Sequence, residues 1–342
     1  MARTKVARSQ LFAVSVTENR MGRHMDITVV LCTYNRCDSL AAALESVSVS
    51  RLPDSVSWEV LVVDNNSTDQ TREVIERFAS QYPGRFRYAF EPRPGKSNAL
   101  NAALHDTKAE VLAFMDDDVQ VEPDWLSMLT RIFKDPKYAG AGGRILPESE
   151  FTPPAWLEVS ERYALAPLAM FDLGPTSCRL QEPPFGTNMA FRREVFSRYG
   201  EFRRDLGPRP GSEIRSEDTE FGMRLLRGGE QLWYEPAAVV HHKIARSRIT
   251  RQYFMKWWFD KARADIRERG EMPGTRWIVA GVPLHLMRRL IAWTFRWLFA
   301  TRSDLRFSAK VKLWMVVASI KEYRDQSRRR ALGGDTTGCE VG

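Results

Sequence analysis

The chain of 342 residues has few cysteines and no long apolar run near its beginning. The cysteines are Cys32, Cys37, Cys178 and Cys339. Their spacing matches neither a zinc site nor a disulfide framework, so a disulfide-stabilised secreted domain is disfavoured and a reducing, cytoplasmic setting is expected. Residues 1–24 are polar and basic, which is not the pattern of a secretory signal, and Met21 or Met25 is an alternative start.

The sequence also lacks internal repeats and low-complexity tracts. It has 51 basic and 43 acidic residues, a formal net charge of +8, and 43% hydrophobic residues, enough for a full core. A basic balance permits nucleic acid, an anionic membrane or anionic small molecules as partners. The charge is uneven, because basic residues crowd the C-terminal third while acids follow the predicted strands of the N-terminal half.

Strand-like and helix-like segments alternate from Asp26 onward. Continuous apolar runs at 27–31, 59–63 and 111–115 predict buried parallel strands, with helices between them. Shorter strands are expected at 86–90, 184–191, 232–235 and 237–241. This order predicts an α/β fold with a Rossmann-like, largely parallel mixed sheet flanked by helices.

The expected organisation has four parts. Residues 1–25 are expected to be a disordered N-terminal segment, and residues 331–342 a tail. Residues 26–250 are expected to form one α/β domain with a first half at 26–122 and a second half at 123–250. Residues 251–330 are expected to be an amphipathic helical extension.

Three consecutive carboxylates, Asp116, Asp117 and Asp118, follow the third apolar run. Ligands of open α/β sheets bind at the carboxyl ends of strands, and neighbouring acids repel one another unless a cation or donors neutralise them. Alternation along a strand would place Asp116 and Asp118 on one side and Asp117 on the other. Two such carboxylates suit Mg²⁺ or Mn²⁺ bound with substrate phosphates. An acidic surface turn, or a helix cap before Pro123, is the alternative.

Five segments together resemble a family 2 glycosyltransferase with the GT-A fold, over about Asp26 to Lys261. They are residues 29–36, 62–69, 94–101, 114–118 and 216–220. Each is weak alone, but their order and their position at predicted strand ends match the family. The resemblance implies that residues 26–250 are the catalytic domain, with a nucleotide-binding half at 26–122 and an acceptor half at 123–250. It also implies an inverting transfer of a sugar from a nucleoside-diphosphate donor to a hydroxyl acceptor, and the donor expected first is a UDP-sugar.

The resemblance also implies donor-binding residues. They are Thr33, Tyr34 and Asn35 at the base, Asp64 accepting a hydrogen bond from the base, Gly95 allowing close backbone approach, and Lys96 as a cation near the nucleotide. A tight turn is the alternative role for Asn35, and a solvated side chain is the alternative for Lys96.

The acidic segments receive roles in the same way. Asp116 is implied to contact the ribose or a metal-bound water, and Asp118 to bind Mn²⁺ or Mg²⁺ directly, with Asp117 as a supporting acid. Asp218 is implied to be the general base, with Glu217 as the alternative; a plain helix N-terminal role is also open.

Three further residues are candidates by their position. His241 is the expected third metal ligand, although its neighbour His242 could fill that role, and a partly buried histidine without metal is equally open. Asn188 is expected to contact the donor sugar or to shape the acceptor pocket.

The C-terminal third is rich in tryptophan and arginine. A helix is predicted over 277–300, on which four basic residues occupy one arc and a broadly apolar surface the rest, and a second helix is predicted over 311–320. The four are His285, Arg288, Arg289 and Arg296. This pattern favours a helix lying in the membrane interface over one that spans it. A packed helical hairpin or a dimer interface is the alternative.

These expectations combine into a metal-dependent transferase, peripheral on the inner face of the membrane, that acts in surface polysaccharide or glycolipid synthesis on a glycan or lipid-linked acceptor. A sugar nucleotidyltransferase would show a Gly-rich basic loop after the first strand, where Thr33-Tyr34-Asn35 stands. A basic nucleic-acid-binding protein is a second alternative, although the acidic strand ends would repel phosphates, so no nucleic-acid partner is expected. A catalytically dead scaffold is disfavoured by the intact carboxylates.

Overall fold

A computed structural model describes residues 25–161, 163–210, 214–269, 277–279 and 281–333. The disorder expected for the N-terminal segment falls almost entirely outside these residues, as does most of the predicted tail.

One mixed sheet dominates the described part of the chain, with strands in the order β3-β2-β1-β4-β8-β6-β9-β5 and β7 paired to β9. The strands are β1 (Ile27–Thr33), β2 (Trp58–Asp64), β3 (Phe86–Phe90), β4 (Val111–Asp116), β5 (Val119–Val121), β6 (Tyr138–Pro147), β7 (Cys178–Arg179), β8 (Asn188–Arg192) and β9 (Gln231–His242). Strands β1 to β4 are parallel to their neighbours in that group, and β8 runs antiparallel to β4 and β6. The expected α/β fold with a mixed sheet is therefore confirmed.

Helices connect and flank these strands. They are α1 (Cys37–Ser48), α2 (Thr71–Gln81), α3 (Lys96–Asp106), α4 (Trp125–Ile132), α5 (Arg193–Tyr199) and α6 (Glu217–Arg227). The central parallel strands are mainly apolar because both faces are covered, and all seven residues of β2 are buried. A hydrophobic core that runs from Ile27 to Val240 packs the sheet against the helices.

The register of the parallel strands brings their carboxyl ends to one edge. Cys32 of β1 lies beside Asp116 of β4, and Thr33 lies beside Asp64 of β2. The polar residues that follow these strands therefore meet at a single edge of the sheet, where α/β folds bind ligands.

The two short strands expected at 232–235 and 237–241 are a single strand, β9. Its register against β6 jumps from Glu235, opposite Gly143, to Val239, opposite Arg144. Pro236 lies in the residues that this irregularity skips. Because proline has no N–H to donate, it is accommodated in a bulge and does not end the strand.

The C-terminal extension is helical, as expected, but its boundaries differ. It contains α7 (Arg251–Arg269), the short antiparallel pair β10 (Ile278–Val279) and β11 (Val282–Pro283), then α8 (Leu284–Phe299) and α9 (Ser303–Gly333). The helix predicted from 277 begins only after Pro283, because the β pair occupies the preceding residues and proline favours a helix start. The helix predicted over 311–320 is the middle of α9, which enters the expected tail.

Helix α9 packs against both α7 and α8. Val316 of α9 lies in one apolar cluster with Ile266 of α7 and Leu286 of α8. Glu322 of α9, fully buried, accepts hydrogen bonds from Arg263 at 3.0 Å and Arg267 at 2.7 Å on α7. Among the described helices, none is long and apolar enough to cross a bilayer.

Candidate active site

A cleft of about 650 Å³ opens at the carboxyl edge of the sheet. The acidic triplet at the end of β4 lines it, as do Glu217 and Asp218 at the start of α6. The sequence segments at 29–36, 94–101, 114–118 and 216–220 are therefore brought to one cavity, as their order along the chain suggested.

Asp116, the last residue of β4, is held by two donors. Lys96 Nζ lies 2.6 Å from its Oδ1, and Thr187 donates from its hydroxyl to Oδ2 at 2.9 Å. Burial would raise the pKa of Asp116, but Lys96 outweighs that effect and lowers it. Lys96 also lies 3.7 Å from Glu217, and these two acids raise the pKa of Lys96 although its burial opposes this. Lys96 is therefore a bound cation between the two acidic groups and not the solvated side chain considered as its alternative.

Asp117 does not face away from Asp118 as strand alternation predicted. The chain leaves the strand conformation after Asp116, and Arg36 Nη1 reaches Asp117 Oδ1 at 2.9 Å and Asp118 Oδ2 at 3.0 Å. Thr33 donates its hydroxyl to Asp117 Oδ2 at 2.7 Å. Burial raises the pKa of Asp117 to about 6, although Arg36 opposes this shift. The turn that begins after Asp116 determines which carboxylates lie next to each other. Apolar periodicity does not predict this turn.

Asp118 lies at the centre of a second group of contacts. Arg248 donates from Nη2 to Asp118 Oδ2 at 3.2 Å, and His242 Nε2 lies 3.6 Å from Asp118 Oδ1. Burial alone would raise the pKa of Asp118, but the guanidinium groups of Arg36 and Arg248 hold it well below its usual range. Asp118 is therefore a carboxylate that stays ionised in a strongly cationic surrounding.

His242 presents a lone pair toward this group. Arg248 Nη1 lies 3.1 Å from His242 Nε2, and because a guanidinium has only N–H donors, Nε2 must be the acceptor. The ring proton is then on Nδ1, which is buried and has no hydrogen-bond partner among the described residues. Neutral imidazole with a free Nε2 lone pair is the form that binds metals.

Asp118 and His242 fit a divalent cation. Their facing atoms are 3.6 Å apart, close to the roughly 3 to 3.5 Å between adjacent ligands of an ion bound at about 2.1 Å. No three His, Cys, Asp or Glu side chains converge on one point within the described residues. The pair therefore suits an ion whose other ligands are water and phosphate, whereas both oxygens of Asp116 are already engaged.

His241 lies outside this group. Its Nε2 is 2.7 Å from Glu122 Oε1 and its Nδ1 faces the Pro147 carbonyl. Side chains alternate along β9, so only one of the two histidines can face Asp118, and that residue is His242. The position facing the acidic triplet, which was expected for His241, is therefore occupied by its neighbour His242.

The acidic pair begins α6 in a constrained backbone. Ser216, just before it, has a φ of 84°, the left-handed conformation that residues other than glycine rarely adopt. Asp218 Oδ2 accepts the N–H of Gly186 at 2.6 Å, and a Cβ added at Gly186 would lie 2.8 Å from that oxygen. Glu217 is buried, and this burial together with Asp218 raises its pKa above the usual range. The carboxylate of Asp218 is thus the better fixed of the two.

The residues expected at the nucleotide separate into two groups. Thr33, Tyr34 and Gly95 line the cleft, and Tyr34 is 45% exposed. Asn35 and Asp64 do not line it. Asn35 accepts from the Thr68 N–H at 2.7 Å, which is the turn role considered as its alternative.

Asp64 is buried and has internal partners. It accepts from the Ser67 N–H at 2.9 Å and from the Tyr88 hydroxyl at 3.1 Å. The following residue, Asn65, lines the cleft instead and accepts the N–H of Gly95 at 2.7 Å. Gly95 itself has a φ of 129°, which favours glycine at this close approach.

Asn188 is a structural residue. It is fully buried, accepts from the Trp125 indole at 2.9 Å, and donates to the carbonyls of Arg144 and Ala238. It therefore joins β8 to its surroundings and does not contact the cleft, contrary to the expectation. Its neighbour Thr187, which sequence reasoning missed, reaches Asp116.

An aromatic wall, also missed, closes the far side of the cleft. It consists of Tyr163, Phe185, Tyr253, Trp257 and Trp258. The indole rings of Trp257 and Trp258 on α7 are 4.9 Å apart at 80°. These residues come from an irregular segment and from the C-terminal extension, so no local pattern links them to the acidic strand ends.

The parallel strands of the sheet end at an acidic cleft, which is where α/β folds bind their ligands. A family profile described as "Glycosyl transferase family 2" matches residues 28–200. The chain belongs to this family, as the resemblance of its five segments predicted.

Relatives extend the similarity beyond those residues. The chain is 27% identical over 234 residues to succinoglycan biosynthesis protein ExoM of Rhizobium meliloti, covering 68% of this chain and 71% of that protein. It is 24% identical over 240 residues to a glucosyl-dolichyl phosphate glucuronosyltransferase of Haloferax volcanii, covering 68% and 75%.

A solved structure supports the fold. The mannosyltransferase PcManGT from Pyrobaculum calidifontis, in complex with GDP-Man and Mn²⁺, superposes with a TM-score of 0.53 at 19% identity, covering 93% of this chain and 82% of that one. The GT-A fold expected from the sequence is confirmed.

Proposed function

We propose that this protein is a metal-dependent, inverting glycosyltransferase that moves a sugar from a nucleoside-diphosphate donor to a hydroxyl acceptor. The observation that carries the proposal is that Asp118 and His242 line one cleft together with Glu217 and Asp218. One group suits a divalent cation with a diphosphate, and the other suits proton abstraction from an acceptor.

The donor side follows from the edge of the sheet. Tyr34 offers an exposed ring for a base, and the Asn65–Gly95 contact shapes the backbone beside it. Asp116 and Lys96 lie where the ribose and diphosphate of a donor would pass. Asp118 and His242 would hold Mn²⁺ or Mg²⁺, which supplies charge stabilisation for the leaving diphosphate.

The acceptor side holds the base. Asp218 takes the proton from the acceptor hydroxyl as that oxygen attacks the anomeric carbon, so one displacement inverts the configuration. The N–H of Gly186 fixes the carboxylate, and Lys96, 3.7 Å from Glu217, places a positive charge between the acidic groups. The aromatic wall offers flat apolar faces against which a sugar ring can pack.

The domain division proposed from sequence needs one extension. Residues 26–122 supply the nucleotide-binding half, and 123–250 supply most of the acceptor half. Trp257 and Trp258 add α7 to the acceptor side, so the helical extension takes part in the cleft.

Contact with a membrane is the last part of the proposal. On α8 an exposed apolar stripe lies beside a basic one, and the stripe consists of Met287, Ile291, Phe295, Leu298 and Phe299. A helix with adjacent apolar and basic faces suits the interface of an anionic bilayer. We place the protein on the cytoplasmic face of the membrane, acting in surface polysaccharide or glycolipid synthesis, in line with the names of its relatives.

Calorimetry with UDP, GDP and CDP, each with and without Mn²⁺, tests the proposal on the wild type and on Asp118→Ala. We expect one diphosphate, UDP, to bind to the wild type only in the presence of Mn²⁺. The Asp118→Ala variant should not show this manganese-dependent binding. Glu122→Ala, which removes the partner of His241, is the control and should bind as the wild type does. If none of the diphosphates binds to the wild type, the proposal is wrong.

A further inference from the structure

Arg248 lies on a short 3₁₀ turn, Arg246–Arg248, between β9 and α7. Its guanidinium reaches into the cleft and makes two contacts there. Nη1 is 3.1 Å from His242 Nε2, and Nη2 is 3.2 Å from Asp118 Oδ2. The side chain is 24% exposed, so it lies at the mouth of the cleft and not in the core.

These contacts use the atoms that a divalent cation would need. A carboxylate oxygen has more than one lone pair, so Asp118 could in principle serve an arginine and a metal together. The neutral imidazole has a single lone pair at Nε2, and Arg248 holds it. Arg248 and a metal ion therefore exclude one another at His242.

Arg36, the other arginine on Asp118, differs in this respect. It reaches Asp118 Oδ2 at 3.0 Å and Asp117 Oδ1 at 2.9 Å, but it has no contact with His242 among the described residues. Arg36 can stay in place when an ion binds, whereas Arg248 must move.

We propose that Arg248 occupies the cation position in the free enzyme and that Mn²⁺ or Mg²⁺ must displace it. This inference rests on the proposed metal-dependent function. Displacement costs two contacts, one of them to an ionised carboxylate, so the free enzyme binds the ion weakly. The displaced guanidinium remains at the mouth of the cleft, where the diphosphate of a donor offers it new charge-assisted contacts. Donor and metal binding are thereby coupled.

The test measures Mn²⁺ affinity without nucleotide, from the electron paramagnetic resonance signal of free Mn²⁺, for the full chain and for Arg248→Ala. The matched control is Arg246→Ala, an exposed arginine on the same turn, which removes the same charge without touching the cleft. We expect Arg248→Ala to bind Mn²⁺ about tenfold more tightly than the control, because a hydrogen bond to a charged group contributes roughly that factor. Circular dichroism establishes that both variants are folded.

Adding UDP gives a second readout. It should tighten Mn²⁺ binding clearly in the wild type and less in Arg248→Ala, which has lost the guanidinium that couples the two ligands. Equal Mn²⁺ affinity of the two variants without nucleotide would overturn the inference while leaving the metal-dependent function intact. Absence of Mn²⁺ binding by every protein, with or without UDP, would overturn both.

Discussion

At the scale of single residues, Gly186 determines where the carboxylate of Asp218 can lie. Its N–H donates to Asp218 Oδ2 at 2.6 Å, and it leaves no room for a side chain on that side. A base must be within hydrogen-bond reach of the proton that it removes. A shift of the carboxylate by a fraction of an ångström therefore lowers the rate of proton transfer.

We expect Gly186→Ala to lower kcat by roughly 10- to 100-fold, since a new Cβ must push the carboxylate away, with little change in UDP affinity. Single-turnover rates and calorimetry on the same preparations measure both quantities. Thr187→Val is the contrast, because it removes a hydrogen bond from Asp116 and should weaken donor binding instead. Wild-type turnover in Gly186→Ala would show that Asp218 is not the base.

Asp117 is a second residue whose surroundings have a measurable consequence. Burial raises its pKa to about 6 in the folded protein, whereas an unfolded aspartate titrates near its usual value of about 3.9. Between these two values the folded state binds more protons than the unfolded state. The contribution of Asp117 to stability therefore falls as the pH rises through this window.

Without metal, the free energy of unfolding of the wild type relative to Asp117→Asn should fall by up to about 3 kcal/mol between about pH 4 and pH 7. Urea titrations in the presence of a chelator measure this difference. Asp54→Asn, at an exposed aspartate, serves as the control, and its difference from the wild type should stay flat over the same range. A flat curve for Asp117→Asn as well would contradict the burial effect.

At the scale of elements, α9 is held against α7 by the apolar cluster around Val316 and by one ionic cluster. Glu322 of α9 is fully buried between Arg263 and Arg267 of α7. The other face of α7 carries Trp257 and Trp258 into the cleft. The position of the aromatic wall therefore depends on how firmly α9 holds α7.

Removing one partner of a buried ion pair leaves an uncompensated charge, so Glu322→Gln should lower the free energy of unfolding by about 3 kcal/mol. The exposed pair Arg72–Glu76 on α2 gives the control, and Glu76→Gln should cost less than about 0.5 kcal/mol. Chemical denaturation of both variants measures the contrast. Equal costs would mean that the cluster is not what holds the two helices together.

At the scale of the whole molecule, α8 is the helix that turns an apolar face outward. Ile291 and Phe295 are each 58% exposed and Phe299 is 74% exposed, while Leu286 on the opposite face packs against α7 and α9. Three helical sectors result, one packed, one apolar and exposed, and one basic. The third sector distinguishes a lipid surface from an ordinary apolar contact.

We expect the protein to bind vesicles that contain phosphatidylglycerol and not vesicles of phosphatidylcholine alone, and to be released by salt. Phe299→Ser should weaken vesicle binding about tenfold, since partial burial of a phenylalanine ring contributes roughly 1.5 kcal/mol. Phe90→Ser replaces another exposed phenylalanine, at the end of β3, and should leave binding unchanged. Co-sedimentation gives both numbers, and equal loss in the two variants would contradict the proposed face.

The fold class, the family and most of the acidic residues of the cleft could be predicted from the sequence alone. Fully buried strands have continuous apolar runs. Polar residues directly after such strands lie at the edge of the sheet where α/β folds bind ligands. Thr33 and Asp118 could therefore be placed at one edge from their position after strands, whereas Gly95, Lys96 and Asp218 were assigned to the site through the resemblance to the family. Strand order and register then brought them together as expected.

The neighbours of these residues could not be predicted from the sequence, because they depend on contacts between elements in the folded chain. The turn after Asp116 places Asp117 and Asp118 within reach of one arginine. Because side chains alternate along β9, His242 and not His241 faces Asp118. The aromatic wall joins residues almost a hundred positions apart. Apolar periodicity reports which face of an element is buried, but it carries no information about contacts between elements, and those contacts set the charge, the protonation and the reach of each group in the cleft.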